Sequence, residues 1–294
     1  MSFRLEMLQV ARLAPKLLGE SAALVTEFLT SRLAPEGGFL NRDDKPDLYY
    51  TVFGIEGLLA LQQPLPKDRI AAWLQRFGTG EGLDFVHLCC LARSWSALDP
   101  KALSDEQRAA IAAHVEAYRK PDGGFHPAKD RTQGSAYGCL LAAAAYEDLA
   151  LPLPQMEAVK ACMDSLLCAD GGWTNEAALP FPNAPGTAAA LALYRRMRWD
   201  VPAQSIEWLL GCQHPDGGFL AIPRAPMPDL LSTAVSLHAL SGAQVDLTPL
   251  KERSLDYIDS LWSAQGGFHG NWTDHQLDCE YTYYGLLALG HLSL

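Results

Sequence analysis

Three short stretches bring together side chains able to move protons or hold ions, and each opens an apolar segment: Asp47-Leu-Tyr49-Tyr50, Asp229-Leu-Leu-Ser, and Asp278-Cys279-Glu280-Tyr281. An acid set among apolar groups keeps its proton to higher pH and can act as a general acid. Asp229, Asp278, Glu280 and Tyr281 are therefore the catalytic candidates. Asp278 and Glu280 stand two residues apart, so a helix through them aims only one squarely inward unless it starts between them. Cys279 with Asp229, and with Glu280 or His275, offers the donor types of a metal site. Adjacent Asp and Cys do not converge from one helix, so zinc is not favoured. The alternative role of Asp47, Asp229 and Asp278 is helix N-capping, which aspartate does well. His87, inside "DFVHLCCL", reads as a satisfied core histidine. Tyr50, Phe53, Trp95, Tyr137 and Tyr284 would line a cavity for an apolar chain or a carbocation, with core packing as the alternative. Arg224 is the single cation of "LAIPRAPMPD", and Lys129 and Arg131 stand in a comparable loop.

The elements that must position these residues come from a repeat. Paired glycines followed by an aromatic end at Phe39, Phe125, Trp173, Phe219 and Phe268, and "GTGEGLDFVHL" is a worn copy where a sixth is due. The glycine pairs begin at Gly37, Gly123, Gly171, Gly217 and Gly266, so neighbouring copies stand 46 to 49 residues apart and the 86-residue gap holds the worn one; such periods mark repeat architectures. Each unit runs from a polar loop into an apolar segment, then a Pro-marked break and an amphipathic segment such as "LSDEQRAAIAAHVEAYRK". In that segment Ile111, Val115 and Tyr118 share a face, and Ser104 with Gln107 fits a capping box. Sustained strand alternation is missing. An open solenoid needs polar end caps, whereas the last segment, "DCEYTYYGLLALGHLSL", is apolar and most like the first, "DLYYTVFGIEGLLAL". Closure predicts an all-α, α/α toroid of six helix pairs filling residues 35–294, with an N-terminal helical extension over 1–34. Its apolar helices form the inner ring around a central apolar funnel. In the turns, the paired glycines allow left-handed backbone and close approach, and the aromatic plugs the gap between units.

Composition narrows the partners. The 294 residues are 49% hydrophobic and 19% charged, enough for one large core. A net charge of -11 excludes a nucleic-acid backbone as the expected partner. Seven scattered cysteines without CxxC spacing read as reduced thiols in a cytoplasmic, soluble protein. The N-terminus lacks the apolar run of a signal peptide, and no segment is long enough to span a membrane.

"CQHPDGGF" resembles the repeat shared by squalene cyclases and protein prenyltransferase β subunits. "GGFLNRDDKPDLYYTVFGIEGLLAL" and "GGFHGNWTDHQLDCEYTYYGLLAL" most resemble repeats of the β subunit of protein geranylgeranyltransferase type II. The resemblance spans all six units. It implies a funnel that holds an isoprenoid, a catalytic zinc near its rim, and a partner subunit or self-association. Of the zinc ligands it implies, Asp229 matches, but Leu231 and Tyr281 stand where a Cys and a His are due. The DxDD acid motif of the cyclases is missing as well. The expected function is thus an isoprenoid-handling, prenyltransferase-like enzyme with a degenerate zinc site. The alternatives are a small terpene-cyclase-like enzyme using a rim acid such as Glu280, or a non-catalytic isoprenoid-binding or scaffolding toroid.

Overall fold

A computed structural model describes residues 2–179 and 181–294. Helix α1 (Phe3–Ala11) and the short α2 (Pro15–Leu18) precede α3 (Ser21–Ser31). Two kinds of helix then alternate along the chain: α4 (Leu48–Ala60), α5 (Lys67–Gln75), α6 (Phe85–Leu98), α7 (Asp105–Glu116), α8 (Ala136–Asp148), α9 (Met156–Ser165), α10 (Ala184–Met197), α11 (Ala203–Leu210), α12 (Leu230–Gly242), α13 (Thr248–Ser260) and α14 (Cys279–Leu292). The even-numbered helices from α4 to α14 pack each on the next, and α14 packs on α4, so the inner ring is closed. Among the described residues there are isolated β-bridges but no strands.

The turn chemistry repeats with the unit. Gly37, Gly123, Gly171, Gly217 and Gly266 all have positive φ, a conformation that costs side-chain-bearing residues. A Cβ on Gly217 would lie 2.0 Å from the Arg253 carbonyl oxygen, and one on Gly266 2.1 Å from that of Leu24. The glycine lets the loop press on the outer helix. The aromatic that follows is buried between units, with Phe39, Phe125, Trp173 and Phe219 fully so. Its backbone N–H is fixed by the inner helix: Thr51, Thr187, Thr233 and Thr282 hydroxyls accept from Phe39, Trp173, Phe219 and Phe268, and the Cys139 thiol does so for Phe125.

One boundary differs from the sequence reading. The segment 1–34 is not wholly an extension, because α3 is the sixth outer helix. Gly266 and Gly267, in the loop before α14, press on Leu24 and Phe28 of α3, and Leu29 of α3 sits on Gly57 of α4. Five units supply their own outer helix, whereas the last borrows α3 from the opposite end of the chain. Only α1 and α2 lie outside the ring. Helix α1 packs on α14, α4 and α8. It lies across the C-terminal ends of the inner helices and closes that end. The Phe3 N–H donates to Glu147 (3.0 Å), Arg4 reaches Glu56 and Asp148, and Glu6 meets Arg195.

Candidate functional site

All six inner helices start at the end opposite α1, and a side-chain oxygen caps each one: Asp47, Asp84, Ser135, Asn183, Asp229 and Asp278. The cap fixes the rotation of each helix, so residues two, six, nine and thirteen positions after it share the axial face. On α6 these are Val86, Cys90, Arg93 and Ala97, all partly accessible in the middle of the molecule. Outer helices and the neighbouring inner helices cover the other faces, so this partly accessible face turns to the ring axis, and the space there is the lumen. The same offsets pick out Tyr49 and Phe53 on α4, Tyr137 and Leu141 on α8, Leu231 and Val235 on α12, and Glu280 and Tyr284 on α14. The upper two layers are therefore apolar and aromatic apart from one carboxyl, that of Glu280.

Glu280 is only 8% exposed, and the Tyr49 hydroxyl donates to its Oε1 at 2.5 Å. Burial pushes its carboxyl up to about 7, even though the Tyr49 bond and Arg42 pull the other way. Burial also holds the Tyr49 phenol far above its ordinary range, so it remains a donor. Tyr49 packs edge-on against Phe53 (5.0 Å between centroids), and Phe53 lies 5.5 Å from Tyr284. Glu280 is one of the charges that raise the Tyr49, Tyr137 and Tyr284 phenols. Helices α4, α8 and α14 thus bring an acid of raised pKa and a set of rings into one space.

The other acids have different work. Asp278 is fully buried, accepts from the Tyr281 N–H at 2.8 Å and takes the Arg42 Nε at 2.6 Å. Burial raises it despite Arg42. Of Asp278 and Glu280, only Glu280 faces the lumen. Asp229 accepts from both the backbone N–H and the hydroxyl of Ser232, each at 2.7 Å, and burial raises it too. Tyr281 is half-buried at the rim, where the Arg42 guanidinium stacks 5.3 Å from its ring centre. Tyr50, in the matching slot of α4, is half-buried, and burial together with Asp278 pushes its phenol up to about 12. Arg42 does not serve the acids of its own loop. It crosses to Asp274 (2.7 Å) and Asp278 of the last unit and ties the seam of the ring.

Several expected positions move. Trp95 does not line the lumen: it sits half a helical turn from the Val86–Ala97 face and is 5% exposed. Arg224 is exposed in the loop before α12, Lys129 stacks on Tyr118 (5.3 Å) and Arg131 pairs with Glu176 (3.4 Å). Cys279 is fully buried behind the rim, and burial raises its thiol well above the ordinary range. Among the described residues no three His, Cys, Asp or Glu side chains converge on a point that could hold a metal ion, so the donors a zinc needs do not fit here. Two outer grooves, of about 340 Å³ (beside Leu17, Leu255 and Trp262) and about 470 Å³ (beside Gly80, His114 and Lys129), contain none of the axial acids.

The structure places two residues where the sequence reading did not. His87 is not a core histidine. It bridges the caps of two inner helices, 2.8 Å from Asp84 and 3.5 Å from Asp47. The Asp47 contact, with Asp84, raises it to about 9 against the effect of burial. Arg93 was hidden in an apolar run, yet its offset from Asp84 places it on the axis. The signal available was register from the cap.

The prenyltransferase α/α toroid domain model matches residues 16–91, 84–179 and 187–293, most of the chain. The chain belongs to this family. Similar solved structures include Candida albicans protein geranylgeranyltransferase-I complexed with GGPP, at 14% identity and TM-score 0.65, covering 83% of this chain and 85% of that one. The type II terpene cyclase MstE from Scytonema matches at 12% identity and TM-score 0.63, covering 94% and 97%. An α-1,6-mannanase from Salegentibacter sp. HEL1_6 matches at 12% identity and TM-score 0.61, covering 93% and 98%. At these identities the likeness shows the toroid fold alone. No curated protein matches the sequence.

Proposed function

We propose that this toroid is an isoprenoid-handling enzyme of the terpene-cyclase-like kind, in which Glu280 protonates an unsaturated chain held in the lumen. The observation that carries the reading is Glu280 itself: one carboxyl with a raised pKa, held by Tyr49 in an otherwise apolar and aromatic lumen. With its carboxyl raised to about 7, about half of the molecules keep the proton at neutral pH, and that proton can go to a carbon–carbon double bond. The alkene's π pair forms the new C–H bond, a tertiary carbocation remains on the chain, and Glu280 is left as carboxylate. Tyr49 stabilises that carboxylate by hydrogen bonding, and Phe53, Tyr137 and Tyr284 face the cation with their rings. Attack by the next double bond closes a ring, the final cation loses a proton to solvent, and the Glu280 carboxylate takes one up from solvent, which restores the acid.

Two relatives in fold support an isoprenoid ligand: one was solved with GGPP, and the Scytonema cyclase with geranylgeranyl dihydroxybenzoate. The special likeness to the geranylgeranyltransferase type II β subunit enters only as isoprenoid binding, because among the described residues Asp229 belongs to no group of three His, Cys, Asp or Glu side chains that could hold a metal ion. Glycoside hydrolysis is less well supported, since it uses a pair of carboxyls and the upper lumen carries one. The groups invoked come from one chain and require no partner subunit. Seven unpaired cysteines fit a reducing, cytoplasmic setting.

The test uses farnesol, geranylgeraniol and their diphosphates. Binding to the folded state alone raises the melting temperature, and products are followed by mass spectrometry. Wild type is expected to bind and turn over at least one of them, Glu280→Gln to bind without turnover, and Val235→Trp to do neither while staying folded. Binding without turnover in wild type would leave the non-catalytic toroid. No melting shift with any prenyl compound would remove the isoprenoid reading.

A further inference from the structure

The lower lumen has a different character from the upper. At the third layer α4 and α6 present Glu56 and Arg93, at the fourth α8 presents Asp148, and Arg4 of α1 comes up from below. Arg4 Nη1 lies 3.4 Å and Arg93 Nε 3.6 Å from Glu56 Oε1, and Arg4 Nε lies 3.9 Å from Asp148. These contacts leave much unmade. Arg93 Nε and Nη2, Arg4 Nε, Glu56 Oε2 and the Tyr283 hydroxyl are buried and have no hydrogen-bond partner among the described residues. Such groups are costly to leave unpaired. Arg93, whose side chain is 20% exposed, is the cation that opens on the lumen.

Two guanidinium groups face two carboxyls, but the pairing is uneven: Glu56 Oε1 is shared by Arg4 and Arg93, while Asp148 lies beside Arg4 alone, and burial raises Asp148 as well. Arg93 is thus left with half a partner. On the opposite side of the floor the charges are paired one to one, Glu6 with Arg195 and Glu147 with Arg196, and His238 bonds His291 at 3.0 Å, with His291 Nδ1 left unbonded among the described residues. The incompletely paired cation is Arg93.

We infer that the lumen floor beside Arg93 binds the anionic end group of an isoprenoid ligand, whose hydrocarbon end is thereby directed up to Glu280. This rests on the isoprenoid reading above and specifies its ligand as an acid or phosphate ester that enters head first. The layers of Glu280 and Arg93 are seven residues apart along parallel helices, or about 10 Å at 1.5 Å per residue. Only apolar and aromatic side chains separate them, so one short prenyl chain would span from acid to guanidinium. The orientation presents the end of the chain farthest from its head group to the proton donor.

The experiment compares farnesol, farnesoic acid and farnesyl diphosphate on the whole protein by calorimetric titration. The acid is expected to bind wild type about tenfold more tightly than the alcohol, as one charge-assisted contact would give. The diphosphate arm tells whether the floor accepts phosphate or only carboxylate. Arg93→Gln should erase the preference while leaving alcohol affinity unchanged, and Arg224→Gln, at the mouth, should leave both intact. Glu56→Gln removes the competing anion and should tighten acid binding, which a purely structural ion-pair network would not do. It also serves as the test if Arg93→Gln fails to fold. Equal affinity for alcohol and acid in wild type, or a preference lost in Arg224→Gln instead, would overturn the inference and leave the isoprenoid reading standing. Failure of every compound, alcohol included, would count against that reading itself.

Discussion

Replacing Glu280 by glutamine should change how stability depends on pH, and the sign is fixed by the structure. Its carboxyl rises from an ordinary 4.5 to about 7 in the folded chain because burial disfavours the charge. Between those values the folded state holds a proton that the unfolded state has released. Unfolding is therefore linked to proton loss, and stability falls as pH climbs through the window. A rise of this size corresponds to about 3 kcal/mol, and the group is too buried for solvent to screen much of it. The glutamine keeps the volume, still accepts from Tyr49 and does not ionise. Below pH 4.5 the two proteins should be equally stable. Above pH 7 the Glu280→Gln variant should be more stable by up to about 3 kcal/mol. Urea unfolding of both proteins from pH 4 to 8.5 gives the difference curve, in which groups common to both, such as Asp148 and His87, cancel. A flat difference curve would mean that Glu280 ionises as in water, and the proton-donor role would fall with it.

The seam offers a second prediction. Arg42→Ala leaves buried Asp278 without its cation, which should cost about 2 kcal/mol once the partial exposure of Arg42 is allowed for; a change within about 0.5 kcal/mol in urea unfolding would refute this. The turn glycines separate two effects. Gly217→Ala meets both positive φ and a carbonyl at 2.0 Å and should lower stability by roughly 3 kcal/mol, whereas Gly82→Ala meets positive φ with nothing within 4 Å and should cost about 1 kcal/mol. Equal thermal shifts for the two would show that close approach contributes nothing. His87, raised from 6.5 to about 9, should stabilise the mouth fully below pH 6.5 and lose that contribution as pH rises through 9. An NMR titration midpoint near 6.5 would contradict the Asp47–His87–Asp84 bridge.

The sequence by itself determined whatever depends on near neighbours. Six apolar segments with Asp, Ser or Asn at their heads make six capped helices, because a cap acts over three residues. Gly-Gly-aromatic makes the same turn at each recurrence, because positive φ and a plugging ring are local demands. Asp278 and Glu280 could not both face inward, since two residues of helix separate their directions by more than half a turn. Ring closure was legible in the likeness of the first and last segments.

What the tertiary structure alone decided lies between residues far apart in the chain. Tyr49 reaches Glu280, Arg42 reaches Asp278, and α3 completes a unit whose inner helix is α14, each a meeting made only when the ring shuts. Trp95 and Arg93 share one apolar-looking run, and their residue types suggest the tryptophan for the lumen and the arginine for solvent. The rotation set by Asp84 reverses that. Which side of a helix is inside is not a property of its composition when both sides are buried; it is fixed by the cap, the neighbours and the axis they enclose. The charge of the floor is likewise invisible in sequence, because it arises where α1, α4, α6 and α8 bring Arg4, Glu56, Arg93 and Asp148 to one end of a closed ring.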